Sequence, residues 1–98
     1  MIEAVIQQLK LQEVRNALDE MGIEDFMESA IITHGRSTGQ TMIFRGARFV
    51  ANIVEKVKLE IIAADDSVDT IIKVIGSIAG TGRRDDCRIA IRPYLEVT

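Results

Sequence analysis

The sequence contains one arrangement twice: a short apolar run, then a stripe of apolar residues spaced by three and four. The first run covers residues 2–6, and the second shows apolar residues alternating with others across residues 57–64. The stripes are Leu11, Val14, Leu18 and Met21 in the first copy and Val68, Ile71, Ile72, Ile75 and Ile78 in the second. Gly22 follows the first stripe, and Gly80 and Gly82 follow the second, where helices should end. A strand followed by an amphipathic helix is therefore predicted twice.

One more extended run follows each predicted helix, around residues 26–33 and residues 88–92. Pro93 limits how far the last run can pair inside a sheet, because proline lacks a backbone N–H. The predicted order is βαββαβ, which is typical of the ferredoxin-like α+β sandwich, with two helices on one face of a four-stranded antiparallel sheet. We expect a single domain over residues 1–98.

The composition excludes several classes of protein. With 47% apolar and 28% charged residues and a net charge of -3, the chain is neither disordered nor basic enough to predict nucleic-acid binding. No apolar run is long enough to span a membrane, and residues 1–10 lack the regions of a signal peptide, so we expect a cytoplasmic protein. Cys87 is the single cysteine, and we interpret it as an inert, at least half-buried thiol.

The predicted central strand has two unlike faces. Val57, Leu59 and Ile61 share an apolar face that suits the helices. The opposite face carries Lys58 and Glu60 together with apolar residues, which is too apolar to leave bare and too polar for a dry core. This pattern favours an oligomer surface, so we expect copies of the chain to assemble.

The connection over residues 33–52 is the anomalous part of the chain. It shows no sustained period of two or 3.6, and loops of this length in compact domains are usually functional. It contains three arginines and two phenylalanines but no acidic residue: Arg36, Arg45, Arg48, Phe44 and Phe49. Positive charge with aromatic area suits recognition of an anion or of another protein. The alternative is a solvated loop that folds back on the domain.

Motifs of catalysis and metal binding are not evident. The stretch "GRSTGQT" differs from a Walker A loop because its glycines are too close together, it lacks the lysine and no helix is predicted after it. His34 is the single histidine, and no third member of a catalytic triad is evident. Adjacent acidic pairs such as Asp85 with Asp86 occur at turns, without a histidine or cysteine at metal-ligand spacing. We therefore expect no enzyme, no catalytic residue and no metal.

Several separate motifs resemble those of the PII signalling proteins. They are the first helix with Lys10 and Leu11, then "GRSTG" and "FRGARFV" in the connection, then "KVKLEI", "DDSVD" and "TGRRDDCRI", in the family's order and spacing. The resemblance covers about residues 4–91. It implies a homotrimer of ferredoxin-like subunits with nucleotide sites in the clefts between them. It also implies that residues 33–52 are the T-loop, which contacts a target such as a membrane transporter or metabolic enzyme, and that residues 80–88 contain the B-loop.

The sequence departs from the family pattern in the T-loop. Phe49 stands where typical members carry the tyrosine that is uridylylated, so that modification should be absent. Ser37 stands where they carry the glutamine that helps to hold magnesium and 2-oxoglutarate, whereas Lys56 matches the lysine that pairs with the 2-oxoglutarate carboxylate. With the lysine present and the glutamine replaced, the case for 2-oxoglutarate sensing is weaker.

The B-loop differs as well. The family's GDGK corresponds here to Asp85, Asp86, Cys87 and Arg88, so Cβ atoms and an added carboxylate should crowd an anion site, while Arg88 replaces the lysine charge. The sequence also lacks, after Thr98, the family strand whose arginines reach a nucleotide in the neighbouring subunit. We therefore expect weak ATP binding and a preference for ADP, AMP or another adenine ligand, with no cofactor required.

Besides Lys56 for a 2-oxoglutarate-like anion, the resemblance gives two sets of site residues. The predicted nucleotide-binding set is Gly35, Arg36, Ser37, Ile62, Arg83 and Arg88. The predicted partner-binding set is Phe44, Arg45, Arg48 and Phe49. The mechanism we expect is ligand-dependent ordering of the T-loop by a small-molecule effector. The alternative is a trimeric scaffold that has lost nucleotide binding.

Overall fold

The structure is a computed structural model that describes residues 1–34, 40–44, 47–51, 53–82 and 86–97; for residues 40–44, 47–51, 53 and 54 it describes the backbone alone. Its strands are β1 Ile2–Gln7, β2 Phe26–His34, β3 Gln40–Phe44, β4 Ala47–Ala51, β5 Ile53–Ile61 and β6 Cys87–Ile91. Its α-helices are α1 Leu11–Glu20 and α2 Val68–Ala79, each preceded by a single 3-10 turn, Gln8–Lys10 and Asp65–Ser67.

Four of the strands form one antiparallel sheet in the order β2-β5-β1-β6. Both helices pack on the same face of this sheet, and their apolar stripes contact the apolar residues of that face. The predicted ferredoxin-like βαββαβ fold is therefore confirmed.

The core lies between that face and the helices because strand residues alternate sides. Ile6 of β1 pairs with Val57 of β5, and Ala4 pairs with Leu59, so the apolar faces of the two central strands coincide. Among the residues whose side chains the structure describes, those with no exposed surface are Ile2, Ala4, Ile6, Val14, Leu18, Leu59, Ile61, Ile71, Ile75 and Ala79. Each large side chain of this set contributes about 1.5–3 kcal/mol by burial. The apolar face predicted for residues 57–61 is thus the face that the helices cover.

The first helix ends as the sequence predicts. Backbone N–H groups of Met21 and Gly22 donate to carbonyls of the last turn, and Gly22 has a φ of 76°. Ile23 then donates to Leu18 and begins the return toward β2. A left-handed glycine lets the chain reverse here at little conformational cost.

The segment predicted as a loop over residues 33–52 contains regular structure. Thr33 and His34 belong to β2, and β3 pairs with β4 as a separate two-stranded ribbon from Gln40↔Ala51 to Phe44↔Ala47. The prediction of a loop without regular structure was therefore wrong for the ribbon, because backbone pairing between two strands does not require an alternating sequence.

The face of the sheet opposite the helices, which we call the open face, is mixed in character. Lys58 Nζ lies 3.8 Å from Glu60 Oε1, and Arg92 Nε lies 2.9 Å from Glu3 Oε2. Half-buried Val5 lies on the same face of β1, in register with Lys58. None of the helices in the described part of the chain is long and apolar enough to span a membrane.

Candidate functional site

All four strands of the sheet have one of their ends on the same side of the sheet. β1 ends there at Gln7, β6 begins at Cys87, and β2 and β5 pair there at His34↔Ile53. Both ends of the segment between β2 and β5 therefore leave the sheet at the same end as the connection from α2 to β6, with β1 between β5 and β6. We call this the loop end of the sheet.

Lys56 is a buried lysine at the loop end. It is only 5% exposed and lies in register with Gln7 on β1 and Ile31 on β2. Alternation along β5 places it on the open face, because Val57 faces the helices. A lysine is rarely buried unless its charge is paired.

Arg88 presents a second cation on the same face. It is the second residue of β6, it is exposed, and it lies in register with Val5, whose other neighbour is Lys58. Lys56 and Arg88 therefore lie on either side of β1, in register with Gln7 and Val5 of that strand. Two cations so arranged favour an anion near the loop end.

Asp86 joins three parts of the chain at the same place. Its Oδ1 accepts a hydrogen bond of 2.8 Å from Gln7 Nε2, and its Oδ2 accepts one from the hydroxyl of Thr81. Both donors are neutral, so these hydrogen bonds do not neutralise the negative charge of the carboxylate. Any anion bound by Arg88 would also experience this charge.

Cys87 faces away from Arg88. Its half-buried side chain packs against the core beside the helices, in register with Ile6. The Cβ of Cys87 and that of Arg88 therefore lie on opposite sides of β6, because successive strand residues point to opposite faces. Burial raises the pKa of the Cys87 thiol, and the positive charge of Lys56 partly opposes this change. A less readily formed thiolate agrees with the interpretation of Cys87 as inert.

Ile62 lies at the opposite end of the sheet. It directly follows the last residue of β5 and is 40% exposed, next to a hollow of about 310 Å³ that Met27 and Tyr94 also line. A strand rises about 3.3 Å per residue, so Ile62 is roughly 20 Å from Lys56 along β5. Within one chain, the structure does not bring Ile62 together with Lys56 and Arg88.

The other predicted site residues lie at least partly outside the described residues. Gly35, Arg36, Ser37, Arg45 and Arg83 belong to segments that the structure does not describe. The predicted contact residues Phe44, Arg48 and Phe49 are described by their backbone, which pairs as Phe44↔Ala47, Ile43↔Arg48 and Met42↔Phe49. Arg48 and Phe49 are thus neighbours on one strand of the ribbon.

Sequence reasoning missed Gln7 and Thr81. Gln7 is 79 residues from its partner Asp86, so no local pattern could join them. Thr81 belongs to the recognised stretch "TGRRDDCRI", but its hydroxyl gave no separate signal. Among the residues that the structure describes, no group of three or more His, Cys, Asp and Glu side chains could hold a metal ion.

Comparison with known proteins agrees with the architecture. The family model described as "Nitrogen regulatory protein P-II" matches residues 1–94. A nitrogen regulatory protein P-II of Azospirillum brasilense is 40% identical over 96 residues, which cover 98% of this chain and 86% of the relative. That of Rhizobium meliloti (strain 1021) is 38% identical over the same shares, and P-II 1 of Escherichia coli (strain K12) is 39% identical over 92% of this chain and 80% of the relative.

The fold and these matches define a signalling protein of the ferredoxin-like class that has a regulatory role. The chain belongs to the P-II family of nitrogen regulatory proteins.

Proposed function

We propose that this protein is a trimeric regulator that senses an adenine nucleotide, with ADP or AMP favoured over Mg-ATP, and controls a transporter or metabolic enzyme through residues 33–52. The observation that carries the proposal is the common position of Lys56, Arg88 and both ends of that segment at the loop end of the sheet. An anion bound there would lie beside the base of the segment and could bias its conformation.

The charge balance supports the preference for shorter phosphate chains. Lys56 and Arg88 attract an anion, whereas Asp86 repels it and Asp85 precedes it in the sequence. Each added phosphate brings more negative charge toward these carboxylates, and Coulomb repulsion grows with that charge. We therefore expect affinity to fall from ADP to ATP, and 2-oxoglutarate to add little.

The position of Ile62 supports a ligand shared between copies of the chain. Since Ile62 is roughly 20 Å from Lys56 along β5, one ADP molecule does not reach both in the same chain. In a trimer joined through the open faces, Ile62 of one copy contacts the base while Arg88 of its neighbour contacts the phosphates. The mixed polar and apolar open face suits such an interface.

Calorimetric titration with ATP, ADP, AMP and 2-oxoglutarate, each with and without magnesium, tests the ligand. We expect Arg88→Gln to weaken ADP binding about tenfold or more, since a charged hydrogen bond contributes about 1.5–3 kcal/mol. Lys73→Gln on exposed helix surface is the matched control and should bind as the unmodified protein does. Submicromolar Mg-ATP affinity with synergy from 2-oxoglutarate would contradict the preference. Absence of any response would favour the scaffold alternative.

Light scattering at micromolar concentration tests the assembly. Ala90 is exposed on the open face in register with Glu3, so Ala90→Arg adds bulk and charge to the interface without a like charge directly opposite it. We expect this variant to be monomeric and folded. Ser77→Arg on exposed α2 surface should remain trimeric. A monomeric mass for the unmodified protein would overturn the trimer.

Alanine variants within residues 33–52 test target recognition. We expect Arg45→Ala and Phe49→Ala to lose capture of the partner that the unmodified protein retains from a cell extract, while the trimer mass is unchanged. If both variants retain the same partner, these residues do not form the recognition surface.

A further inference from the structure

Asp86 makes two side-chain hydrogen bonds that the sequence did not predict. Its two carboxylate oxygens accept from different segments: Gln7 Nε2, at the last residue of β1, and the Thr81 hydroxyl, two residues after α2. The bond to Gln7 is partly buried. We call these three residues the Asp86 clasp.

The clasp ties both ends of the connection between α2 and β6 to the sheet. Thr81 is near its start, Asp86 directly precedes the first residue of β6, and Gln7 is on the neighbouring strand. Beside Thr81, Gly82 has a φ of 84°, which favours glycine. Hydrogen bonds to a carboxylate are stronger than neutral ones, so two of them restrict how Asp86 can move.

The clasp forms within one chain and from side chains that do not include the proposed ligand contacts Lys56 and Arg88. Asp86 is nevertheless only two residues from Arg88, at the point where β6 begins. Restricting Asp86 therefore restricts the backbone that leads to Arg88.

We propose that Asp86 is a positioning residue, which holds the start of β6 against Gln7 and Thr81 before any ligand binds and so sets the approach of an anion to Arg88. The effect on ligand affinity rests on the proposed function. The effect on the ligand-free chain does not, because the clasp needs no ligand.

Thr81→Val removes the hydroxyl that donates to Asp86 and nearly keeps the shape of the side chain, whereas Thr81→Ser keeps the hydroxyl. Thr70→Val, on the exposed surface of α2, is the matched control. The first measurement is amide hydrogen exchange of the ligand-free protein at Arg88, whose backbone pairs with Val5 where β6 begins. We expect exchange about fivefold faster in Thr81→Val, since one hydrogen bond contributes about 1 kcal/mol, and rates close to those of the unmodified protein in Thr81→Ser and Thr70→Val. Unchanged exchange in Thr81→Val would overturn the clasp.

The second measurement is calorimetric titration with ADP. If the unmodified protein binds ADP, we expect Thr81→Val to bind about fivefold more weakly and Thr81→Ser to restore the affinity. Faster exchange with unchanged ADP affinity would overturn the positioning role. If the unmodified protein does not bind ADP, the proposed function fails in this respect, while the exchange measurement still decides whether the clasp holds the start of β6.

Discussion

Arg15 Nε donates to Glu28 Oε2 at 3.2 Å, and a second guanidinium N–H donates to Oε1, so the Arg15–Glu28 pair joins α1 to the edge strand β2. The pair has the bidentate geometry that favours arginine over lysine. Its side chains are nevertheless 40% and 34% exposed, which admits solvent and salt.

Because of this exposure, Glu28→Gln should lower the free energy of unfolding by less than about 1 kcal/mol, and the difference should shrink in 1 M salt. Urea unfolding at one fixed chain concentration measures it, since the proposed assembly would make stability depend on concentration. A loss above about 2 kcal/mol that salt does not reduce would show that the pair acts as a buried one.

Two leucines test the location of the core. Leu59 is fully buried between sheet and helices, whereas Leu9 is 75% exposed in the turn before α1. We expect Leu59→Ala to lower the free energy of unfolding by about 2–5 kcal/mol, through lost burial and the cavity that remains. Leu9→Ala is the matched control and should change it by less than about 0.5 kcal/mol. Equal effects of the two changes on urea unfolding would contradict this assignment of the core.

Two glycines should respond to alanine in opposite directions. Gly76 lies inside α2, where an added Cβ meets nothing within 4 Å, so Gly76→Ala should stabilise the protein by about 0.5–1 kcal/mol. Gly22 has a φ of 76°, so Gly22→Ala should destabilise it by about 1–2 kcal/mol although space is available. Thermal unfolding of both variants measures the difference, and a loss in Gly76→Ala would mean that another copy of the chain contacts this side of α2.

The raised pKa of Cys87 predicts a pH dependence. The thiolate is the reactive form, so alkylation by iodoacetamide should require higher pH than alkylation of a free cysteine. Lys56→Met removes the charge that lowers this pKa and should move the alkylation profile to still higher pH. A profile that moves to lower pH in this variant would contradict the electrostatic role of Lys56.

The same pKa shift has a defined sign in stability. A raised pKa in the folded state means that the folded protein binds this proton more tightly, so the contribution is present below the ordinary thiol pKa and is lost as the pH rises through the raised value. In Cys87→Ala this part of the alkaline dependence should be absent from urea unfolding.

The fold could be predicted from the sequence where one face of an element lies on the core. The stripes of α1 and α2 and the alternation after Val57 are direct consequences of burial, so these elements were found within a few residues. β5 begins earlier, at Ile53, because its pairing with β2 continues past the end of the covered face. At the start of β5, pairing with β2 forms the strand, although the sequence shows no alternation of apolar residues.

The candidate site was predictable only in part. Lys56 and Arg88 were found through the family motifs, and the structure places both at the loop end. Motif order carried no information that Gln7 meets Asp86 across the fold. That contact depends on strand order, which brings distant segments together.

The long ladder between β2 and β5 runs from Phe26↔Ile61 to His34↔Ile53, so the ends of the intervening segment are held side by side by the sheet itself. The cost of closing a chain segment grows only slowly with its length. Substitutions or insertions between those ends should therefore leave folding nearly unaffected. A lineage that carries this protein can thus alter the sequence of this segment without having to evolve a new fold.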